Sequence, residues 1–303
     1  MKNSILLTTL LILFLAFTSC KKDNNDPAKK ELTIAISGLE DLGENYAYEG
    51  WLIVDGNAKS AGVFDVDSSG TLSQTSFNLE ASDINGASAY VLTIEPNPDT
   101  DPSPSAVHIL AGDFSNNSAS LTVNHDAAIG TDFASATGSY VLGTPTDGDS
   151  DGNEKSGVWW LSVDQNNDVT AGLTLPPLPS SWKYEGWAVI DGTPVSTGTF
   201  TSANGADSSN SYSGNATIGE PFNGPILFPG EDFLKNAPTG LTFPTDLAGK
   251  TVVISVEPNP DNAPGPFSIK PLVGNIDIAV EVQEPYDMTN NAVASNPTGT
   301  VTR

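Results

Sequence analysis

The stretch Tyr-Glu-Gly-Trp-Leu-Ile-Val-Asp-Gly occupies residues 48–56, and Tyr-Glu-Gly-Trp-Ala-Val-Ile-Asp-Gly occupies residues 184–192. Both stretches lead into a Ser-x-Gly-x-Phe pattern that ends at Phe64 and Phe200, so the offset remains 136 residues (200 − 64). A Glu-Pro-Asn-Pro-Asp motif also occurs twice, at residues 95–99 and 257–261, with an offset of 162 residues (257 − 95). The chain therefore contains an internal repeat whose second copy carries an insertion of 26 residues (162 − 136).

Short runs rich in Val, Ile, Thr and aromatic residues recur between turn residues, and long stretches with helical spacing are missing. This pattern is typical of antiparallel all-β domains. Asp55-Gly56 and Asp191-Gly192 favour tight hairpins, because both residue types tolerate positive φ. The sequence therefore predicts an all-β fold of two antiparallel, immunoglobulin-like β-sandwich domains, with an open barrel as the alternative for each. Trp51 and Trp187 are expected to anchor the core between the sheets.

The predicted organisation follows the composition along the chain. Its parts are a signal peptide (residues 1–19), a lipidated tether (20–31), a first β-sandwich repeat (32–126), a linker (127–137), a second β-sandwich repeat (138–282) with an insertion at about 205–240, and a polar tail (283–303). The tail has few apolar residues, which predicts that it is disordered.

The N-terminus indicates export. Lys2 and the apolar run from Ile5 to Phe17 are typical of a secretory signal, and the run is shorter than the ~20 residues of a membrane span. The following Thr18-Ser19-Cys20 resembles the lipobox of bacterial lipoproteins, and the acidic segment after Lys21 is similar to the tether of Bacteroidetes lipoproteins. This resemblance implies lipidation of Cys20 and a location at the cell outer membrane, facing the periplasm or the surface. The alternative is a signal peptide with a coincidental cysteine.

Charge and cysteine content exclude several function classes. The chain has 12 Lys and Arg against 37 Asp and Glu, so we expect no nucleic-acid partner, because affinity for phosphates comes from basic side chains. The same argument excludes attraction to anionic lipid headgroups. The acidic surface suits divalent cations or a salty medium, or it serves solubility alone. With lipid on Cys20, the single cysteine, no thiol is left for a disulfide, a zinc cluster or a nucleophile.

Several short motifs of the first repeat occur in an order that is known from one family. They are the strand from Tyr48 to Gly56, Ser60-Ala61-Gly62-Val63-Phe64, Leu92-Thr93-Ile94-Glu95-Pro96, and then Pro104 and Gly112. In this order they resemble the extracytoplasmic domain of the anti-sigma-K factor (RskA-like) family, over Leu32–Asn124 and more loosely over Gly172–Val282. The resemblance implies a binding or sensory module. Family members also carry a cytoplasmic sigma-binding region and a transmembrane helix, which this sequence lacks, so we expect no direct sigma-factor binding.

An acidic string at residues 147–154 suggests a calcium site. Its candidate ligands are Asp147, Asp149, Asp151, Asn153 and Glu154. Carboxylates at alternating positions, with Gly152 in the sixth, converge on one hard cation at the start of an EF-hand loop. The twelfth position is Val158 instead of Glu, which excludes an EF-hand. A looser calcium loop and a solvated acidic hairpin remain as interpretations, and no other cofactor is expected.

Catalytic candidates are few. Asp99, Asp101 and Asp261, beside Glu95 and Glu257, could supply the acid and base of a glycosidase. Duplication of the motif favours a turn role for them instead. No nucleophile elbow and no glycine-rich phosphate loop occurs in the sequence. We therefore expect a non-enzymatic protein, with a secreted hydrolase as a third alternative.

Five aromatic residues are the candidate binding residues. Phe222, Phe228 and Phe233 lie in the insertion, which either binds a ligand or covers a sheet edge. Trp159 and Trp160 are adjacent on a predicted strand, so one ring should face the core and the other should face outward. The principal hypothesis is a module that binds or senses an envelope protein. The alternative is a carbohydrate-binding accessory lipoprotein that stacks a sugar on these rings.

Overall fold

The computed structural model describes residues 28–148, 152–163, 168–216, 227–261 and 263–303. In this part of the chain the secondary structure is nearly all antiparallel strand, which confirms the predicted all-β class. The signal peptide and Cys20 lie outside the described residues, and the first strand begins within the predicted tether, at Lys29. No helix within the described ranges is long and apolar enough to cross a membrane.

The described residues form twenty strands. Numbered along the chain, they are β1 (Lys29–Ser37), β2 (Tyr46–Val54), β3 (Asn57–Phe64), β4 (Ser76–Glu80), β5 (Ala87–Pro96), β6 (His108–Ser115), β7 (Ser118–Leu121), β8 (Thr137–Leu142), β9 (Gly157–Trp159), β10 (Leu161–Val163), β11 (Val169–Ala171), β12 (Leu173–Thr174), β13 (Trp182–Ile190), β14 (Thr193–Phe200), β15 (Gly230–Asp232), β16 (Thr251–Pro258), β17 (Leu272–Asn275), β18 (Tyr286–Asp287), β19 (Thr289–Asn290) and β20 (Thr298–Thr302). Two short helices, α1 (Ala81–Gly86) and α2 (Ala292–Ser295), and a 3₁₀ turn at Glu154–Ser156 lie between strands.

The strands assemble into three larger sheets and one small hairpin. The first sheet has eight strands in the order β3-β2-β5-β6-β7-β20-β1-β4 and is barrel-like. The second sheet has the order β14-β13-β16-β17-β19. The third sheet has the order β12-β8-β9-β15, with β18 also paired to β8, and β10 pairs only with β11.

The repeated stretches form β2 and β13, which occupy equivalent places in the first and second sheets. Each pairs with the strand after its Asp-Gly turn and with the strand that ends in Glu-Pro. Tyr48 lies opposite Phe64 with ring centroids 5.7 Å apart, and Tyr184 lies opposite Phe200 at 5.8 Å. The motifs that repeat in the sequence therefore have the same strand partners and the same aromatic packing.

Both predicted hairpins are confirmed. The backbone φ is 50° at Asp55 and 51° at Asp191, and the glycine after each aspartate also has positive φ. Two successive residues of this kind give the turn whose twist matches that of the flanking strands. The register shifts by one residue opposite Gly50 and Gly186, where Ala61 of β3 and Thr197 of β14 have no partner. Such a bulge increases the local twist at the same point of both hairpins.

One large buried cluster runs through the described molecule, beside two small ones. It joins side chains of the first sheet, such as Leu52, to side chains of the second and third sheets, such as Ile254 and Val158. The chain therefore does not show two immunoglobulin-like sandwiches with cores of their own. The barrel-like first sheet is closer to the alternative prediction of an open barrel.

The two repeated tryptophans are buried, with 3% of Trp51 and 2% of Trp187 exposed, as expected. Trp51, however, packs in a separate small cluster with Val91 and Ala111. Because side chains alternate along a strand, Leu52 points into the shared core while Trp51 points to the opposite face. The predicted central position of Trp51 between two sheets is therefore wrong.

The C-terminal segment is ordered, contrary to the prediction for residues 283–303. Strand β20 lies between β7 and β1 in the first sheet, and Val301 is fully buried. The Arg303 guanidinium then donates hydrogen bonds to the carbonyl oxygens of Ile84 at 2.8 Å and Ala87 at 2.6 Å. The end of the chain thus completes a sheet whose other strands lie between Lys29 and Leu121.

Candidate functional site

Each repeat places a glutamate beside its tryptophan on a buried strand face. In the first repeat the Trp51 indole N–H donates to the Thr93 hydroxyl at 2.9 Å, and that hydroxyl donates to the Glu95 carboxylate. The Ser60 hydroxyl donates to Glu49, which lies opposite Thr93 in the register of β2 and β5. We name Trp51, Thr93, Glu49 and Glu95 the first Trp–Glu cluster.

The second repeat builds the same arrangement. The Trp187 indole N–H donates to the Ser255 hydroxyl at 2.8 Å, and Ser255 donates to Glu257. The Ser196 hydroxyl donates to Glu185, which lies opposite Ser255 in the register of β13 and β16. We name Trp187, Ser255, Glu185 and Glu257 the second Trp–Glu cluster.

The glutamate of each Glu-Pro motif also holds the segment that returns after the proline turn. Glu95 accepts a hydrogen bond from the backbone N–H of Ser105 at 2.8 Å, and Glu257 accepts one from that of Phe267 at 2.9 Å. These carboxylates therefore tie the end of one strand to the following segment, which agrees with a turn role.

The aspartates of the same turns make local contacts. Asp99 accepts a hydrogen bond from the backbone N–H of Asp101 at 2.8 Å, and Asp261 accepts one from that of Ala263 at 3.0 Å. Side chains that bond their own backbone two residues later stabilise turns. Asp99 and Asp261 therefore have a structural role in these turns. Their matching contacts do not make one of them a catalytic acid and the other a catalytic base.

Burial raises the pKa of three acids in the Trp–Glu clusters, Glu49, Glu185 and Glu257. Loss of water raises the pKa of Glu257 from its ordinary 4.5 to about 8, and the charges of Glu185 and Asp261 add to this. Desolvation also raises the pKa of Glu185 to about 7 and raises that of Glu49. The Oε2 atoms of Glu185 and Glu257 are buried without a hydrogen-bond partner. Burial therefore favours the neutral, protonated form of Glu49, Glu185 and Glu257.

A further group of buried acids lies in the insertion. Asp232 accepts hydrogen bonds from the Trp159 indole N–H at 2.7 Å and from the Thr146 backbone N–H at 2.8 Å. Asp207 accepts one from the backbone N–H of Gly230 at 2.8 Å. Desolvation raises the pKa of Asp207 and of Asp232 to about 7. These acids position Trp159 and the start of β15.

A cavity of about 430 Å³ opens beside these acids. Aromatic rings and polar side chains share its wall, among them Trp159, Phe228, Asp207, Asn210 and Asn215. The volume is within the range of about 300–1,000 Å³ that is typical of small-molecule sites. Two of the five predicted binding residues, Trp159 and Phe228, therefore come together at one cavity.

Two other predicted binding residues, Trp160 and Phe233, do not line this cavity. Trp160 and Phe233 are fully buried in the shared core, so they offer no surface to a ligand, which corrects the prediction for these two. Phe222 lies outside the described residues. The expectation that neighbouring tryptophans face opposite sides agrees with the packing, because Trp159 belongs to a separate small cluster.

The predicted calcium ligands are only partly described. Asp149 and Asp151 lie outside the described residues. Glu154 accepts a hydrogen bond from the Thr144 backbone N–H at 3.1 Å, and Asn153 accepts one from the Thr144 hydroxyl at 2.8 Å. Within the described ranges, no group of three or more His, Cys, Asp or Glu side chains is arranged to hold a metal ion. The calcium loop remains a prediction.

Sequence reasoning did not identify Glu49, Glu185, Asp207 or Asp232. Glu49 and Glu185 could have been identified, because each is a glutamate at the same place in an apolar strand of its repeat. A charged side chain buried on such a strand needs hydrogen-bond partners or a shifted pKa. No comparable signal marked Asp207 and Asp232, which become neighbours of Trp159 only through folding.

Comparison with known proteins gives a family match for the first repeat. Residues 25–108 match a family model described as "Anti-sigma-K factor rskA, C-terminal". The matched range contains β1 to β5 and the whole first Trp–Glu cluster. No curated protein and no solved structure matches the chain. In residues 25–108 the chain is therefore similar to the C-terminal region of the anti-sigma-K factors, a regulatory family.

Proposed function

We propose that this chain is a non-enzymatic lipoprotein of the cell envelope whose two anti-sigma-K-factor-like modules bind or sense a partner outside the cytoplasm. The observation that carries the proposal is the family match over residues 25–108. The second repeat lies outside the matched residues. Its strand pairing supports the proposal that it is a second module of the same kind.

The support for a second module is the equivalence of two four-stranded arrangements. Strands β3-β2-β5-β6 and β14-β13-β16-β17 have the same order, and both are antiparallel throughout. Each contains a Trp–Glu cluster with the same donors and acceptors. A shared buried network is a more specific similarity than strand order alone.

The sequence before the first strand supports lipid anchoring. Cys20 follows an apolar signal-like run, and β1 begins at Lys29, which is nine residues later (29 − 20). Nine extended residues span at most about 30 Å. A lipid on Cys20 would therefore keep the first sheet close to the membrane surface.

This placement determines the kind of partner. A protein held outside the cytoplasm does not meet a sigma factor, so the proposed partner is another component of the envelope. The net charge of −25 excludes a nucleic-acid partner on electrostatic grounds.

Expression of the full chain in a Gram-negative host tests the proposal. We expect mass spectrometry to find a mature protein that begins at acylated Cys20 and fractionates with the outer membrane. The variant Cys20→Ala should move to the soluble periplasmic fraction. The proposal is overturned if Cys20 is unmodified and the protein stays in the cytoplasm, where it co-purifies with a sigma factor.

A further inference from the structure

We propose that a cavity between the two Glu-Pro turns is the docking site for a basic segment of the envelope partner, which inserts one apolar side chain there. The turns are residues 95–99 of the first repeat and residues 257–261 of the second. This inference names the chemistry of the partner proposed above and therefore rests on that proposed function. The chemistry follows from the size of the cavity, its apolar wall and the charges beside it.

Both copies of the Glu-Pro-Asn-Pro-Asp motif contribute to this cavity, which has a volume of about 360 Å³. Pro96 and Asn97 line it from the first repeat, and Pro258, Asn259 and Pro260 line it from the second. A cavity of about 150 Å³ admits a benzene ring, so this cavity has room for an aromatic side chain. Ligand sites occur preferentially where two structural units meet.

The wall of the cavity is apolar and open to a partner. Ala106 and Pro260 line it and are exposed. Tyr46 and Val107 line it and are partly exposed. None of the described lining residues is charged. An apolar side chain that enters the cavity therefore removes apolar surface of both molecules from water, which favours binding.

Two asparagines are held in the same way at this cavity. The side-chain amide of Asn97 donates to the Glu44 carbonyl oxygen at 3.3 Å. The side-chain amide of Asn259 donates to the Ser180 carbonyl oxygen at 3.0 Å. Within the described part of the chain, no donor binds the amide oxygen of Asn97 or of Asn259. These two oxygens can accept backbone N–H groups of a bound peptide.

The charges beside the cavity favour a basic partner. Three exposed acids lie within two sequence positions of the lining residues, namely Glu44, Asp99 and Asp261. No Lys or Arg lies within two positions of a lining residue. Exposed carboxylates carry negative charge at neutral pH. A segment with Lys or Arg on both sides of its apolar side chain would therefore be attracted, whereas a segment with Asp or Glu there would be repelled.

One basic side chain of the protein, Lys270, interacts with acids of this region. Its charge interacts with Glu40 and Glu257, and its amine donates to the Phe267 carbonyl oxygen at 2.6 Å. None of the three exposed acids forms an ion pair with another described residue. The exposed acids therefore keep their attraction for a basic partner.

Binding of short synthetic peptides to the full chain tests the chemistry of the partner. The probes are acetylated and amidated Gly-Lys-Phe-Lys-Gly, Gly-Glu-Phe-Glu-Gly and Gly-Lys-Ser-Lys-Gly, measured by titration calorimetry. We expect the Lys-Phe-Lys peptide to bind at least about tenfold more tightly than the other two, which lack either the matching charge or the apolar anchor. Its affinity should fall as the NaCl concentration rises from about 0.05 to about 0.5 M, because salt screens exposed charges.

Three results would overturn the inference. The first is that none of the three peptides binds. The second is that the Glu-Phe-Glu peptide binds as tightly as the Lys-Phe-Lys peptide, because charge would then not select the partner. The third is that the Lys-Ser-Lys peptide binds as tightly, because the cavity would then contribute nothing.

A substitution that fills the cavity locates the binding. Ala106 lines the cavity and is exposed, so Ala106→Trp should place a ring at its opening and weaken the Lys-Phe-Lys peptide about tenfold or more. Ala134 is also exposed and does not line the cavity, so Ala134→Trp is the matched control and should bind like the unchanged chain. Thermal unfolding checks that both variants fold. Equal binding by the two variants would overturn the assignment to this cavity.

A second pair of variants tests the charges without a change of shape. Asp99→Asn combined with Asp261→Asn keeps an acceptor oxygen for each turn and should weaken the Lys-Phe-Lys peptide about threefold or more at low salt. Asp132 and Asp246 are also exposed, accept a backbone N–H two residues later and do not line the cavity. Asp132→Asn combined with Asp246→Asn should therefore leave the affinity unchanged. Equal weakening by both double variants would show attraction to the net charge alone and would overturn the inference.

The two proposals fail in different ways. Loss of peptide discrimination alongside an acylated Cys20 and outer-membrane fractionation would remove only the chemistry assigned to the partner. A cytoplasmic, unacylated chain that still prefers the Lys-Phe-Lys peptide would remove the envelope function and leave the cavity as a docking site.

Discussion

Trp187 donates its indole N–H to the hydroxyl of Ser255 across 2.8 Å, and both residues are buried. Ser255 in turn donates its hydroxyl proton to Glu257, so the hydroxyl serves as acceptor and donor at once. In the first repeat Thr93 has the same position next to Trp51. The feature shared by the two repeats is therefore a hydroxyl between an indole and a buried acid.

Removal of the Ser255 hydroxyl should leave the buried Trp187 indole N–H without a partner and leave Glu257 with the hydrogen bond from the Phe267 backbone N–H. We expect Ser255→Ala to lower the free energy of unfolding by about 1–3 kcal/mol, because an unpaired buried group loses its hydration without compensation. Urea unfolding of Ser255→Ala, Trp187→Phe and the double variant measures the coupling between the two residues. Ser103 is exposed, so Ser103→Ala is the control and should change stability by less than about 0.5 kcal/mol. Additive losses in the double variant would contradict the coupling.

Gly50 leaves room for an aromatic ring that crosses it. A Cβ at this position would lie 2.0 Å from the Tyr90 hydroxyl oxygen, and Tyr90 is buried. We expect Gly50→Ala to destabilise the protein by about 3 kcal/mol, because overpacking forces the ring or the strand to move. A Cβ at Gly205 would have no neighbouring atom within 4 Å, so Gly205→Ala should be close to neutral in thermal unfolding. Similar losses for both variants would contradict the packing argument.

The C-terminal strand should be necessary for the first sheet. Val301 is fully buried in β20, so Val301→Ala should cost about 2 kcal/mol, whereas Val293→Ala, at a side chain that is 95% exposed, should cost less than about 0.5 kcal/mol. Deletion of residues 298–303 would expose the edges of β7 and β1, which should cause self-association. Size-exclusion chromatography measures this, and a stable monomer after deletion would contradict the proposed necessity.

The parts of the fold that were predictable are those that local sequence determines. The hairpins at Asp55 and Asp191 depend on two adjacent residues, and their prediction is confirmed. The position of β20 depends on strands far upstream, so the composition of the tail could not reveal it. The repeat likewise could not show that both copies would contribute to one core, because this depends on how the sheets meet.

The residues of the candidate site also divide into those that the sequence predicted and those that it did not. Trp159 was predictable because it is one of two adjacent tryptophans on a predicted strand, and Phe228 because it is a large aromatic residue in the insertion. Their acidic neighbours Asp207 and Asp232 were not, because the chain contains 37 Asp and Glu and only folding shows which are buried. Burial raises the pKa of Asp207 and Asp232, and which acids are buried depends on how the whole chain packs.

The stability of the protein should fall as the pH rises from about 5 to 8. The folded-state pKa is raised to about 7 for Glu40, Glu185, Asp207 and Asp232, and to about 8 for Glu257, chiefly because burial removes water. The ordinary pKa is 3.8 for Asp and 4.5 for Glu. Between these values and the raised ones, the folded chain binds more protons than the unfolded chain. The stability is therefore highest below the ordinary values and decreases as the pH rises through 7 to 8. Urea unfolding at pH 5, 6.5 and 8 measures the slope.

Glu257→Gln separates this effect from the general repulsion of an acidic protein, which also weakens as the pH falls. The amide carries no charge at any of these pH values, so the free energy of unfolding of Glu257→Gln should depend less on pH than that of the unchanged chain. Each unit of pKa difference corresponds to about 1.4 kcal/mol, which makes the expected change in slope measurable. Glu44 is exposed, so Glu44→Gln removes the same charge without a burial effect and should keep the original slope. If both variants keep it, Glu257 is not a source of the pH dependence.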